Sequence, residues 1–226
     1  MATAWRLQCI AIGLVVASSV AAHATDIYVD NLIGDDRSSG HSSQIGTSAS
    51  GPVRSLNRAL QLARAGDRIV MAKHDEPYRE SVTLQGGRHS GSPNLPLTIE
   101  GNGAVLDGRG VDSPREWAYV GDDTYRFTPN WRSFPLLYLG DRPAVRKRAD
   151  ESGMRPALGP LEWCSYKGEV LFRAEPGRMP VEYPLTAPTL VAGLTLYDVR
   201  HVIVQDLVVQ GFRLDGINCH DNAMDV

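Results

Sequence analysis

The sequence predicts an all-β chain wound as a β-solenoid, and three observations carry the prediction. Short β-type runs of three or four residues alternate with turn formers through 68–108 and 193–226. Gly193-Leu194-Thr195-Leu196-Tyr197-Asp198 recurs as Gly216-Ile217-Asn218-Cys219-His220-Asp221 at an offset of 23 residues. A period of that size, carrying several short strands, is the pattern of stacked repeats. Finally, 22 Gly and 14 Pro among 226 residues suit a turn-rich chain better than a helical one.

The elements follow in order. Arg6, an apolar run from Leu7 to Val20 and the small residues around Ala22-His23-Ala24 have the order of a secretory signal peptide. We therefore read 1–24 as a leader, cleaved to leave Thr25, and expect a protein secreted to the extracellular or periplasmic space and free of the membrane afterwards. Ile27-Tyr28-Val29 reads as a strand and 34–51, rich in Ser, Gly and Asp, as a loop. Pro52, then Val53, Leu56, Ala59, Leu60 and Ala63 at helical spacing, predict a helix closed by Gly66 as its C′ residue. Beyond it the period becomes two. Strands are expected at 68–71, 81–84, 97–99 and 104–106, with corners at Gly86-Gly87 and Gly101-Asn102-Gly103. The stretch 109–192 breaks that rhythm and predicts two hairpins, around Gly140-Asp141 and Lys167-Gly168. Val202-Ile203-Val204 and Leu207-Val208-Val209 complete the repeat on either side of a polar corner.

Composition narrows the function. The formal net charge is −3, so there is no basic field for a nucleic acid, which is not expected as a partner. Three cysteines cannot make a disulfide framework, and whether Cys164 and Cys219 pair stays open at this level.

The run Ser55 to Val70 resembles the capping helix and first strand of secreted right-handed parallel β-helix proteins, the pectate lyase-like superfamily. Pro77-Tyr78-Arg79-Glu80, Leu97–Gly108 and His201–Leu207 resemble its corners and coils. Glu162-Trp163, a turn and Leu171-Phe172 resemble the small β subdomain inserted in some bacterial β-helix glycoside hydrolases, fucosidases and xylanases among them. The resemblance implies a right-handed parallel β-helix with an N-terminal capping α-helix and an inserted small β subdomain. It divides the chain into the leader 1–24, cap and first coils 25–108, insertion 109–192 and main coils from 193 to 226. It implies a carbohydrate-active protein, a glycoside hydrolase or polysaccharide lyase, whose partner is a polysaccharide or oligosaccharide. A non-catalytic surface, adhesion or carbohydrate-binding protein on the same scaffold is the alternative. No cofactor is evident; calcium enters by family analogy alone.

Alternation assigns faces. With Leu194, Leu196, Ile217 and Cys219 turned inward, Thr195, Asn218, Tyr197 and His220 face outward, with Asp198 and Asp221 at the adjoining corner. Tyr197, Asn218 and His220 are the candidate sugar-binding residues. Trp117 and Trp131 belong either to a small β core or to a stacking platform. For chemistry, a hydrolase needs two carboxylates roughly 5–10 Å apart, and Asp215, Asp221 and Asp225 are the candidates. A lyase needs a base and a cation, for which Lys147/Arg148 and Arg200/His201 are available. No zinc spacing and no converging oxygen set for calcium stands out. Ile203 and Val208 also face outward, so part of 109–192 is expected to cover them. A solenoid needs at least about three stacked repeats and a terminal cap. With no cap after Asp221, we expect Val226 to be a truncation of a longer monomeric protein, and this piece to be inactive alone.

Overall fold

The computed structural model describes residues 24–47, 49–110, 116–129, 136–148 and 153–226. The leader thus lies outside the described residues except at Ala24. Along the chain run β1 (Asp26–Val29), α1 (Leu56–Leu62), β2 (Arg68–Met71), β3 (Val82–Gln85), the one-turn α2 (Gly86–His89) and β4 (Leu97–Asp107). Next come β5 (Ala118–Gly121), β6 (Thr124–Phe127), β7 (Tyr138–Leu139), β8 (Arg142–Pro143), β9 (Val145–Arg146), β10 (Glu162–Tyr166), β11 (Glu169–Arg173) and β12 (Leu185–Thr186). Then follow β13 (Ala192–Tyr197), β14 (Val202–Gln210) and β15 (Asp215–His220).

The chain is mostly β, with two parallel sheets. One has the order β1-β2-β4-β14, the other β3-β13-β15. Their inward faces share a core in which Ile27, Ile69, Leu84, Ile99, Leu106, Leu194 and Val202 are buried. Each such side chain contributes roughly 1.5–3 kcal/mol of apolar transfer. The 23-residue repeat is realised as strand register: Leu194 pairs with Ile217, Thr195 with Asn218, Leu196 with Cys219 and Tyr197 with His220. Val82 and Leu84 occupy the matching places on β3. Leu194 and Leu196 are buried as alternation requires. Ile217 shares their side of the sheet but is 49% exposed, because β15 is an edge strand and no described strand stacks beyond it.

Corners account for the polar residues between runs. Asn102, Asp198, Asp206 and Asp221 all have φ near +50°, a conformation that short polar side chains tolerate. The Gly101-Asn102-Gly103 corner does not separate two strands, as the sequence suggested, but bends one, β4. Gly101 lies so close to the facing corner that a Cβ there would sit 2.3 Å from the Asp206 carbonyl. Gly86-Gly87 opens α2 and is not a bare turn.

The helix is shorter than its apolar stripe implied. Pro52 and Val53 stay extended because Val53 bridges to β1, its N–H donating to Tyr28 O at 2.9 Å. Ser55 caps α1, its Oγ accepting from Arg58 N at 3.1 Å. At the far end Ala63 is already extended, and Gly66, at φ +87°, turns the chain toward β2 without acting as the helix C′ residue. The Glu80 carboxylate accepts from Leu56 N at 2.8 Å, Asn57 N at 3.1 Å and Asn57 Nδ2 at 3.0 Å, so a residue 24 positions on completes the cap. Glu80→Ala leaves those N–H groups without their acceptor and is expected to cost about 1–3 kcal/mol. Urea unfolding checks this; a midpoint unchanged from the parent would refute the capping role.

The segment between the parallel strands builds around a second core. Its sheet has the order β5-β6-β11-β10-β9, and the Lys167-Gly168 hairpin forms as expected, with both turn residues at positive φ. Trp163, Phe172, Val170, Leu137, Tyr183 and Leu185 are buried together. The β7–β8 hairpin turns at Gly140-Asp141 as expected, but β9 leaves it to pair in parallel with β10. The expectation that this segment covers the first sheet is wrong: Ile203 and Val208 are 41% and 46% exposed. Trp163, Phe172 and Tyr183 are buried in the second core instead. Cys164 is buried and Cys219 exposed, and both are free thiols.

The two regions are joined by a buried ion pair. Arg109 donates to Asp107 through Nε (2.8 Å) and Nη2 (2.6 Å), and Gln210 Nε2 adds a bond of 2.9 Å. The same guanidinium donates through Nη1 to Gly140 O at 3.1 Å and lies 4.8 Å from the Tyr138 ring centroid. Asp107 is wholly buried.

Candidate functional site

The outward faces of β3, β13 and β15 bring the sequence-predicted binding residues together. Thr83, Thr195 and Asn218 form one row across the strands, and Gln85, Tyr197 and His220 the next. Adjacent strands lie about 4.8 Å apart, so each row is a closely spaced polar ladder. Tyr197 is half exposed and His220 exposed. The Asp221 carboxylate beside the Tyr197 hydroxyl, with the charge of Asp198, holds the phenol above its ordinary value. Asn218 Nδ2 donates to Asp215 Oδ2 at 3.3 Å, while its Oδ1 is buried without a partner among the described residues.

Asp215 and Asp221 do not converge. Asp215 opens β15 and Asp221 follows its last residue. At about 3.3 Å per residue they are roughly 20 Å apart, beyond the span over which two carboxylates act on one glycosidic bond. Asp221 serves Tyr197, and Asp225 lies 3.5 Å from His201 Nδ1. Of the basic candidates, Lys147 pairs with Glu162 at 3.1 Å.

Other acidic groups, not singled out in the sequence, do come together. Glu175 and Glu182 both engage Arg178, at 3.2 and 3.3 Å, and Tyr183 OH donates to Glu175 at 3.0 Å. The Met179 N–H and Arg178 hold the Glu182 carboxyl below its ordinary range, which suits a turn clamp better than a proton donor. Glu80 is the acid that burial pushes up, but the α1 N–H groups take both its oxygens. Only the short spacing of Glu175, Arg178 and Glu182 in the sequence hinted at the clamp.

Trp117 belongs to the second core, edge-on to Phe127 with centroids 4.7 Å apart; Trp131 lies outside the described residues. The exposed aromatic on that sheet is Tyr119. Among the described residues no three His, Cys, Asp or Glu gather as a metal site, and no helix is long and apolar enough to cross a membrane.

No known family model matches the chain, and no curated protein matches it. Among solved structures, it is similar to one described as "The complex structure of XylC with xylose", with 16% identity and a TM-score of 0.44. The match covers 79% of this chain and 35% of that one, so the chain spans about a third of the length of the protein it matches.

Proposed function

We propose that this chain belongs to a secreted right-handed parallel β-helix protein that binds and degrades polysaccharide, with residues 109–192 as an inserted β subdomain. The observation that carries the reading is the outward ladder of Thr83, Thr195, Asn218 and Gln85, Tyr197, His220 on a parallel sheet. A ladder of hydroxyl, amide, imidazole and phenol groups offers donors and acceptors at regular intervals and one aromatic face. A hydroxyl-rich polymer uses both. The separation of Asp215 from Asp221 favours binding over cleavage by this part of the protein. Hydrolysis or elimination is therefore assigned to the whole protein, and a non-catalytic carbohydrate-binding or adhesion role is the second reading.

Titration of the labelled chain with xylan, pectin and alginate oligosaccharides tests the binding. Amide shifts are expected at Thr195, Tyr197 and His220. Tyr197→Ala should weaken binding about 3- to 10-fold, the value of one aromatic contact. Undisturbed amides across this panel would dismiss the strip as a sugar site. In the whole protein, reducing ends indicate hydrolysis and ultraviolet absorbance of an unsaturated uronate indicates elimination; neither product would leave only the binding role.

A further inference from the structure

We propose that two hollows meeting at Arg79, which share no residue with the outward strip, form a groove for a short neutral oligosaccharide. The larger hollow, about 390 Å³, is lined by Asn31, Arg54, Ser55, Glu76, Arg79 and Glu80 among others. The smaller, about 200 Å³, is lined by Arg79, Arg109, Gly140, Asp141 and Thr186 among others. Together they fall in the usual range of ligand sites, roughly 300–1,000 Å³.

The boundary between them is built. Arg79 Nη1 donates to Arg109 O at 2.8 Å, which tethers the Arg79 side chain where the hollows join. Arg109 is in turn fixed by Asp107 and the Gly140 carbonyl, so both guanidinium planes are set before any ligand arrives. Each hollow also has in its lining a buried side-chain oxygen with no partner among the described residues: Asn31 Oδ1 in the larger, Thr186 Oγ1 in the smaller. Asn31 Nδ2 donates to Glu76 O at 2.8 Å, which leaves Oδ1 as the unused end of the amide. Unmet buried polar atoms are costly, and a small rotation of either side chain toward its hollow lets a ligand hydroxyl relieve that cost.

Charge selects the ligand class. Arg54, Arg79 and Arg109 face Glu76, Glu80 and Asp141, with Asp107 already on Arg109. No positive excess remains to hold an anion. Asp141 is fully exposed and 3.8 Å from Arg109 Nη2, too long for a direct hydrogen bond. A hydroxyl group standing beside the pair bridges it, accepting from Nη2 and donating to the carboxylate. A chain of sugar hydroxyls matches this mixture of fixed donors and acceptors; a polyanion does not.

The test is an NMR titration of the labelled chain with cellotriose, xylotriose and trigalacturonate. The neutral trisaccharides are expected to shift the amides of Arg79, Gly110, Gly140 and Asp141. Asp141→Ala, on a wholly exposed side chain and therefore safe for folding, should weaken that binding about tenfold, and Thr186→Val several-fold. Tyr197→Ala should leave these shifts unchanged, so failure here and failure of the outward strip are read on different amides. Still amides at Arg79, Gly110 and Gly140 with both neutral sugars would overturn the proposal, as would an Asp141→Ala variant within twofold of the parent. Tighter binding of trigalacturonate, lost in high salt, would overturn the assignment to a neutral ligand.

Discussion

Replacing Arg109 with methionine is expected to destabilise the chain by about 3–5 kcal/mol at neutral pH, because it strands a buried carboxylate. Asp107 is wholly enclosed, and Arg109 is its cation. Burial pushes the Asp107 carboxyl up, but the Arg109 fork and Gln210 outweigh it, so the group titrates below the ordinary carboxylate range. The sign of the pH dependence follows. A carboxyl with a depressed folded-state pKa contributes stability that is full above its unfolded value, near 3.9, and fades as pH falls through the folded value. The gap between parent and Arg109→Met should therefore be full at about pH 7–8 and close progressively as pH falls into the acid range. Urea unfolding at a series of pH values measures it. A gap under about 1 kcal/mol at pH 7, or one that persists unchanged into acid, would show that Asp107 does not depend on Arg109. The double variant Asp107→Leu with Arg109→Met should recover much of the loss, since it removes both charges at once.

The second large effect is expected at Trp163. Its ring is fully buried and its Nε1 donates to Ala144 O at 3.1 Å. Trp163→Ala removes the largest side chain of the second core, at a cost of about 3–5 kcal/mol. The loss should be local. Leu137, Phe172 and Tyr183 lose their packing partner, whereas Ile69, Leu106 and Leu194 belong to the other core. Hydrogen exchange should then speed up in β6, β10 and β11 while amides of β2 and β4 keep the parent's protection. Equal loss in both regions would mean that the segment 109–192 is not a separable unit.

The sequence carried the repeat into the structure as strand register, because parallel pairing aligns like side chains at a fixed offset; Leu194 and Leu196 on β13 are buried as expected, whereas Ile217 and Cys219, expected inward, are exposed on the edge strand β15. The strands at 68–71 and 82–85 and the Lys167-Gly168 turn were legible for the same local reasons: alternation and positive-φ turn chemistry. The helix boundary was not. An apolar stripe from Val53 marks what is buried, but Val53 is buried in a bridge to β1, and the partner that decides this lies 24 positions earlier. Ile203 and Val208 misled in the opposite way. Outward apolar residues ask for cover, yet the aromatic segment was committed to its own core. Of the candidate site, the in-register pairing of Tyr197 with His220 was readable. The separation of Asp215 from Asp221 followed only once β15 was known to run straight between them. The Arg79 groove was invisible, since Asn31, Arg79, Asp141 and Thr186 share no spacing and meet through the fold alone.

The pairing of β4 with β14 sets an order of events for the folding chain. Glu100 and Gln205, partners across those strands, are 105 positions apart, so the first parallel sheet closes over a long loop. Each halving of a flexible loop spares ~0.6 kcal/mol of closure entropy. The hairpins β5–β6, β7–β8 and β10–β11 between the two strands need only local contacts, and such contacts form faster than distant ones. Once those hairpins have joined, the β5–β12 region holds Gly108 and Leu190 together, where Leu190 N donates to Gly108 O at 3.0 Å. The search for β4 by β14 is thereby reduced to the distance between two nearby ends. The segment that interrupts the repeat is on this view the clasp that lets the repeat resume in register.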